Sequence, residues 1–343
     1  MEDKQGKKQK KRRLGAKFLS WAPTRIGTEL FMRWMAFWFL IFGHRWTYFW
    51  ARRVAWFGWY FGGRIKGVTL RNLELCFPEK SEAERTRIGK ASVRHFCYYF
   101  ADILLLPKHF KGERWKRYFT TLPAEHPCFQ VARGDKPGFY VGVHFGNWEV
   151  MSCGLFQACG VRTFVIMKPL NPPLLNRWII RLRTALGSEV VMNEGGGGRG
   201  FARAIKENRK LGVLVDQNGG DHAPVETFLG VPCTWQADFA RLAVRAGTVI
   251  HTAAYRDGER FKFVLADSPV IKYTRDSDPM QVVRDYRDYI EKTVRERPEQ
   301  YFWMHRRFKG RKPGWPDRYA NLGRRLTPEE RQAILSSPAP VAA

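Results

Sequence analysis

From Gly138 onward the chain alternates short apolar runs with amphipathic stretches, and this alternation limits the fold more than any other feature. Runs at 138–143, 162–168, 189–193, 211–216, 248–256 and 260–267 read as strands, and helices are predicted to begin near 146, 171, 199, 234 and 278. Strands joined through helices lie side by side and bury both faces. The expected fold is therefore an α/β sandwich with a largely parallel central sheet. Asn171-Pro172 marks one boundary, because Asn caps a helix and Pro suits its first position. At 343 residues the chain is long enough to bury a sizeable core and carry further segments.

The text before this region is organised differently. RNLELCFPEKSEAERTRIGKASVRHFCYYFADILLL reads as helices, with Ser81 and Glu84 at capping-box spacing. The predicted division is a basic, aromatic-rich segment over 1–64, a helical subdomain over 65–130, an α/β core over 131–325, and a flexible tail over 326–343.

Lys and Arg total 59 against 32 Asp and Glu, a net charge of +27, so an anionic partner is expected. Its location decides which. Residues 1–70 hold 15 Lys or Arg against three acids, together with seven of the thirteen Trp. Rings at headgroup depth and cations against anionic lipid are what a membrane interface selects. The longest uncharged run, Trp34 to His44, has only eleven residues, short of the roughly 20 that a helical span needs. A helix in the interface, or a shallow anchor with snorkelling arginines, is predicted instead. No helix-turn-helix or RNA-binding signature occurs, so no nucleic-acid partner is expected. The basic N-terminus, from Lys7 to Arg13, lacks an apolar stretch followed by a cleavage site and is expected to remain attached.

The six cysteines form no CxxC pair and have no His at metal-binding spacing; free thiols and no metal are expected.

The sharpest local feature is GFYVGVHFGNWEV, a strand ending at His144, a turn through Gly146, and a helix bearing Glu149. Residues at the carboxyl ends of strands in an open α/β sheet face the ligand crevice. With His144 on the turn and Glu149 on the first helical turn, the carboxylate is expected to hold one imidazole nitrogen while the other accepts a proton from a hydroxyl. No G-x-S-x-G nucleophile elbow is present, which argues against a lipid hydrolase.

HFGNWE resembles the H-x4-D/E motif of the bacterial lipid A biosynthesis (lauroyl/myristoyl-type) late acyltransferases. Other blocks follow in that family's order. KPLNPPLLNRWIIRLRTALG resembles the block whose arginine, four residues before a glycine, corresponds to Arg183, with Arg181 as the alternative. GFARAIKENRKLGVLVDQNGG resembles the segment ending in an Asp-Gln pair, here Asp216 and Gln217. FLGVPCTW and PEQYFWMHRRFKGR resemble two further blocks, the second carrying His305, Arg306 and Arg307.

The resemblance implies an acyltransferase-type sandwich at the cytoplasmic face of the bacterial inner membrane. Its implied reaction moves a fatty acyl chain from acyl carrier protein to a hydroxyl of a lipid A precursor, or alternatively from coenzyme A to another glycolipid or a phospholipid, with no bound cofactor. Arg183, Asp216, Gln217, His305, Arg306 and Arg307 are then candidates for binding the oxyanion or substrate phosphates, planar guanidinium groups being suited to both. Asp216 is expected to pair with one of the arginines.

Overall fold

The structure is a computed structural model that describes residues 22–337 apart from 168, 171–172, 193–196 and 311; the basic N-terminus and the Asn171-Pro172 cap lie outside the described residues. Three helices come first: α1 (Ala22–Phe61), α2 (Gly63–Cys76) and α3 (Glu82–His109). They are followed by β1 (Phe119–Thr120), α4 (Pro127–Arg133), β2 (Gly138–Gly142), α5 (Trp148–Cys159), β3 (Thr163–Met167), α6 (Pro173–Ala185), β4 (Ser188–Met192), α7 (Gly197–Lys206) and β5 (Lys210–Leu214). The remainder comprises β6 (Val225–Phe228), β7 (Val231–Thr234), α8 (Ala240–Ala246), β8 (Thr248–His251), β9 (Ala254–Arg256), β10 (Phe263–Leu265), β11 (Val270–Lys272), α9 (Pro279–Glu296) and α10 (Pro328–Leu335).

The principal sheet has six strands in the order β11-β8-β2-β5-β3-β4. Its neighbours from β8 to β4 run parallel, and β11 joins the edge antiparallel. Side chains alternate across it. Phe139 and Val141 of β2 enter one core with Tyr286 of α9, while Tyr140 enters a second core with Met151 of α5 and Leu182 of α6. Helices therefore cover both faces, as a buried parallel arrangement requires.

The sheet does not remain closed along its length. β3 stays paired with β4 as far as Met167, and β5 stays paired with β2 as far as Leu214, but β3 and β5 pair only as far as Val165 and Gly212. Beyond that point they splay and leave a crevice at the carboxyl ends.

In α1, Tyr48, Ala51, Ala55 and Trp59 are buried at helical spacing. Tyr48 packs on Tyr98 with ring centroids 4.8 Å apart, and Gly89 makes room for Trp59, since a Cβ there would meet its ring at 2.8 Å. The other side of α1 exposes Trp34, Phe37, Trp50, Trp56, Phe57 and Phe61. A kink occurs at Gly43, with φ 71°. Among the described residues no helix is long and apolar enough to cross a membrane.

Three expectations require correction. A helix near 234 is replaced by a β6–β7 hairpin, because Leu229 and Gly230, with φ 50° and 80°, form the tight turn that reverses the chain; the helix begins at Ala240. The run 248–256 is two strands in different sheets, β9 pairing with β10 instead of continuing β8. The expected flexible tail contains α10, whose Thr327 and Glu330 form a capping box and whose Ile334 is buried.

Candidate active site

Strand register builds the centre of the site. Gly142 of β2 and Leu214 of β5 are the last registered partners, and His144 and Asp216 each lie two residues further on. They emerge abreast at the carboxyl edge, with His144 Nδ1 2.7 Å from Asp216 Oδ1. Asp216 is 2% exposed. Burial raises its carboxyl pKa, while His144 and the more distant Arg307 lower it, and the net direction is below the ordinary carboxylate range. A carboxylate held ionised on Nδ1 fixes the proton there and leaves Nε2 as the basic nitrogen. The Gln217 side-chain amide reaches that Nε2 at 3.3 Å.

This overturns one expected contact. The carboxylate hydrogen-bonded to His144 is Asp216, not Glu149. Glu149 stands in the first turn of α5 and faces α6, where Arg183 donates from Nη2 to Oε1 at 2.6 Å and from Nε to Oε2 at 2.9 Å. Tyr99 of α3 donates to Oε1 at 3.2 Å. The Trp148 ring packs against both Tyr99, at 4.0 Å, and His144, at 5.0 Å. Burial disfavours the Arg183 cation, Glu149 favours it, and the balance raises its pKa. Among the described residues its Nη1 bonds the Met167 sulfur, at 3.2 Å, a weak acceptor that an anion would outcompete. Arg181 is exposed. Asp216 likewise takes His144 in place of the expected arginine ion pair.

The turn between His144 and Glu149 is pinned from several sides. Gly146 has φ 56°, and a Cβ on it would lie 1.9 Å from the Ala254 carbonyl oxygen, so only glycine fits. His95 donates from Nε2 to the Gly146 carbonyl at 2.8 Å; burial, and then the charge of Arg256, push its pKa down to about 3, so it is neutral. Asn147 caps α5 through the Val150 amide at 3.0 Å and donates to Asp102 Oδ2 at 2.8 Å. Asp102 is completely buried, ion-paired with Arg256, and accepts from the Tyr48 hydroxyl of α1 at 2.6 Å. The chain from Gln300 to Phe302 lies against the same turn, Gly146 N bonding Gln300 O at 3.0 Å and Phe302 N bonding His144 O at 3.1 Å.

The C-terminal block thus braces the turn, but its cations point elsewhere. Arg307 is 1% exposed, donates to the Thr234 carbonyl at 2.7 Å and stacks on Trp235 at 4.3 Å. Arg306 lies over Tyr319, 4.6 Å from the ring centroid. Burial drives the His305 pKa down to about 4, and its Nε2 meets no partner among the described residues. None of the three lines the cavity in front of His144, whose wall includes Glu149, Arg183 and Gln217 and whose volume is about 580 Å³.

His95, Tyr99 and Asp102 were not singled out from the sequence, yet they surround the turn. They recur at spacings of four and three in an otherwise apolar part of α3, a polar stripe that the periodicity does reveal. Among the described residues no cluster of three or more His, Cys, Asp or Glu is placed to share a metal ion, and all six cysteines are unpaired.

The profile of one protein family, described as bacterial lipid A biosynthesis acyltransferase, matches residues 20–310. Among curated proteins, the chain is similar to the lipid A biosynthesis lauroyltransferase of Escherichia coli, 26% identical over 74% of this chain and 81% of that protein. It is also similar to a lipid A biosynthesis acyltransferase of Haemophilus influenzae, 25% identical over 74% of this chain and 82% of that one. A third, the lipid A biosynthesis palmitoleoyltransferase of Escherichia coli, is 24% identical over 73% of this chain and 81% of its own length.

Proposed function

We propose, from the premise that this chain belongs to the bacterial lipid A biosynthesis acyltransferase family, that it moves a fatty acyl group from acyl carrier protein to a hydroxyl of a phosphorylated, acylated glucosamine disaccharide. The observation that carries the mechanism is the Asp216–His144 pair opening on a cavity of about 580 Å³. Nδ1–H donates to Asp216, and Nε2 takes the proton of the acceptor hydroxyl once that hydroxyl displaces the Gln217 amide. The alkoxide oxygen attacks the thioester carbonyl, the carbon–sulfur bond breaks, and the imidazolium returns its proton to the leaving thiol. No acyl-enzyme forms. Gln217 is then beside the developing oxyanion, and Arg183 Nη1 is the nearby cation for a substrate phosphate or the same oxyanion.

We place the protein at the cytoplasmic face of the inner membrane; contact with a membrane surface is supported by the aromatic face of α1, where Trp50, Trp56 and Phe57 are exposed beside Arg52 and Arg53. The direct test supplies the membrane-embedded protein with isotopically labelled acyl-carrier-protein or coenzyme A thioesters and candidate acceptors, and weighs the lipid products. One labelled acyl group appearing on the glucosamine disaccharide is expected. Label confined to glycerophospholipid would overturn the acceptor, and label taken only from coenzyme A would overturn the donor.

A further inference from the structure

We infer that Ser152, Thr163 and Ser188 form a hydroxyl floor that sets the longest acyl chain the enzyme accepts. The inference rests on the proposed reading in which the thioester carbonyl meets His144. All three residues line the same cavity as His144, Glu149 and Arg183, yet Thr163 is 5% and Ser188 3% exposed, so the cavity ends against them instead of opening to solvent.

Position in the sheet explains the depth. Thr163 and Ser188 are the first residues of β3 and β4 and are cross-strand partners. The reacting end lies at the opposite end of β3, where Met167 meets Arg183. Four residue steps of strand separate Thr163 from Met167, roughly 13 Å of rise. Between them the wall is apolar, with Val165, Leu155 and Leu214 in it. Gly212 faces Val165 where β3 and β5 splay, and a Cβ there would meet only Val165 Cγ1, at 3.1 Å. The limb of the cavity toward Thr163 and Ser188 is thus apolar until its last contact.

At that contact the chemistry reverses. Ser152 Oγ is 2.8 Å from Ser188 Oγ and 3.0 Å from Thr163 Oγ1, tying α5 to both strands. Among the described residues the three hydroxyls bond one another. A terminal methyl pushed deeper must part these hydroxyls and leave buried donors unmet, whereas a methyl that stops short costs nothing. The floor is a polar stop as well as a steric one, and it rejects chains longer than the limb.

The test is a competition among acyl-carrier-protein thioesters of increasing chain length with one acceptor, read by mass spectrometry as the ratio of products within each sample. A ratio is independent of how much of a variant folds. Ser188→Gly and Ser152→Ala, which remove floor atoms, are expected to raise the share of the next longer chain, and Gly212→Ala, which narrows the limb, to raise that of the next shorter. Because one methylene in an apolar pocket changes kcat/KM by roughly 10- to 200-fold, a shift of about tenfold or more is expected in each ratio. Wild-type ratios in all three active variants would overturn the floor while leaving acyl transfer intact. Absence of transfer by the wild-type protein from every thioester would overturn the acyl-transfer reading, and the floor with it.

Discussion

His144 and Asp216 stand 72 positions apart in the chain, and their side chains meet at 2.7 Å because β5 returns to pair directly with β2 after two intervening strands. The imidazole and the carboxylate bonded to it thus come from different strand ends, while Glu149, only five residues from His144, pairs with Arg183. Trp148 packs between the two pairs, against the His144 ring on one side and against Tyr99, a partner of Glu149, on the other. In the proposed mechanism the His144–Asp216 pair handles a proton and the Glu149–Arg183 pair holds charge at the cavity wall.

The Glu149–Arg183 pair is 5% and 18% exposed, so truncating either member strands the other. Glu149→Gln and Arg183→Met are each expected to destabilise the protein by roughly 3 kcal/mol in denaturant unfolding, and the double variant by less than their sum. Arg183→Lys keeps the cation but loses the fork, and should lower transfer markedly while retaining most of the stability. Additive losses in the double variant would contradict the pairing.

Acid should weaken the fold through neutral histidines. Burial takes His95 down to about 3 and His251 and His305 down to about 4, all below the ordinary 6.5. A folded-state pKa below the unfolded one means that the unfolded chain binds protons first as pH falls. The contribution is therefore intact above about 6.5 and lost as pH drops from there toward about 3 to 4. In that window each such group steepens the loss by roughly 1.4 kcal/mol per pH unit. His95→Gln, which keeps a donor for the Gly146 carbonyl, is expected to make the urea-midpoint profile shallower by about one proton. An unchanged slope would show that His95 titrates normally.

Replacing Trp50, Trp56 and Phe57 with Ser should weaken partition onto anionic vesicles by roughly tenfold or more, an effect that persists in high salt because it is apolar. Arg53→Gln should matter only at low salt. If the aromatic variants bind vesicles as the parent does, the exposed face of α1 is not the one that meets lipid.

Much of this arrangement was legible in the sequence, and the part that was not is topological. The turn at Gly146, the strand leading to His144 and the capping of α3 by Ser81 are local, set by a glycine, an apolar run and a hydroxyl spaced three residues from a carboxylate. Asp216 was singled out as a strand-end residue, but its partner depends on strand order, which no local pattern encodes. The hairpin over 225–234 was missed because two positive-φ residues, one of them Leu229, make a turn that the Gly alone only hints at. The helix over 328–335 was legible after all, in the Thr327–Glu330 capping spacing.

The most direct measurement is the single-turnover rate of acyl transfer by Asp216→Asn beside Glu149→Gln, each compared with the wild-type protein across pH. Asparagine can donate to Nδ1, which places the imidazole proton on Nε2 and removes the base, so a loss on the order of 10²- to 10⁴-fold is expected. Glu149→Gln should shift the rate without reshaping its pH dependence. A near-normal rate for Asp216→Asn, with the pH profile altered in Glu149→Gln instead, would contradict the account and return the orienting role to Glu149.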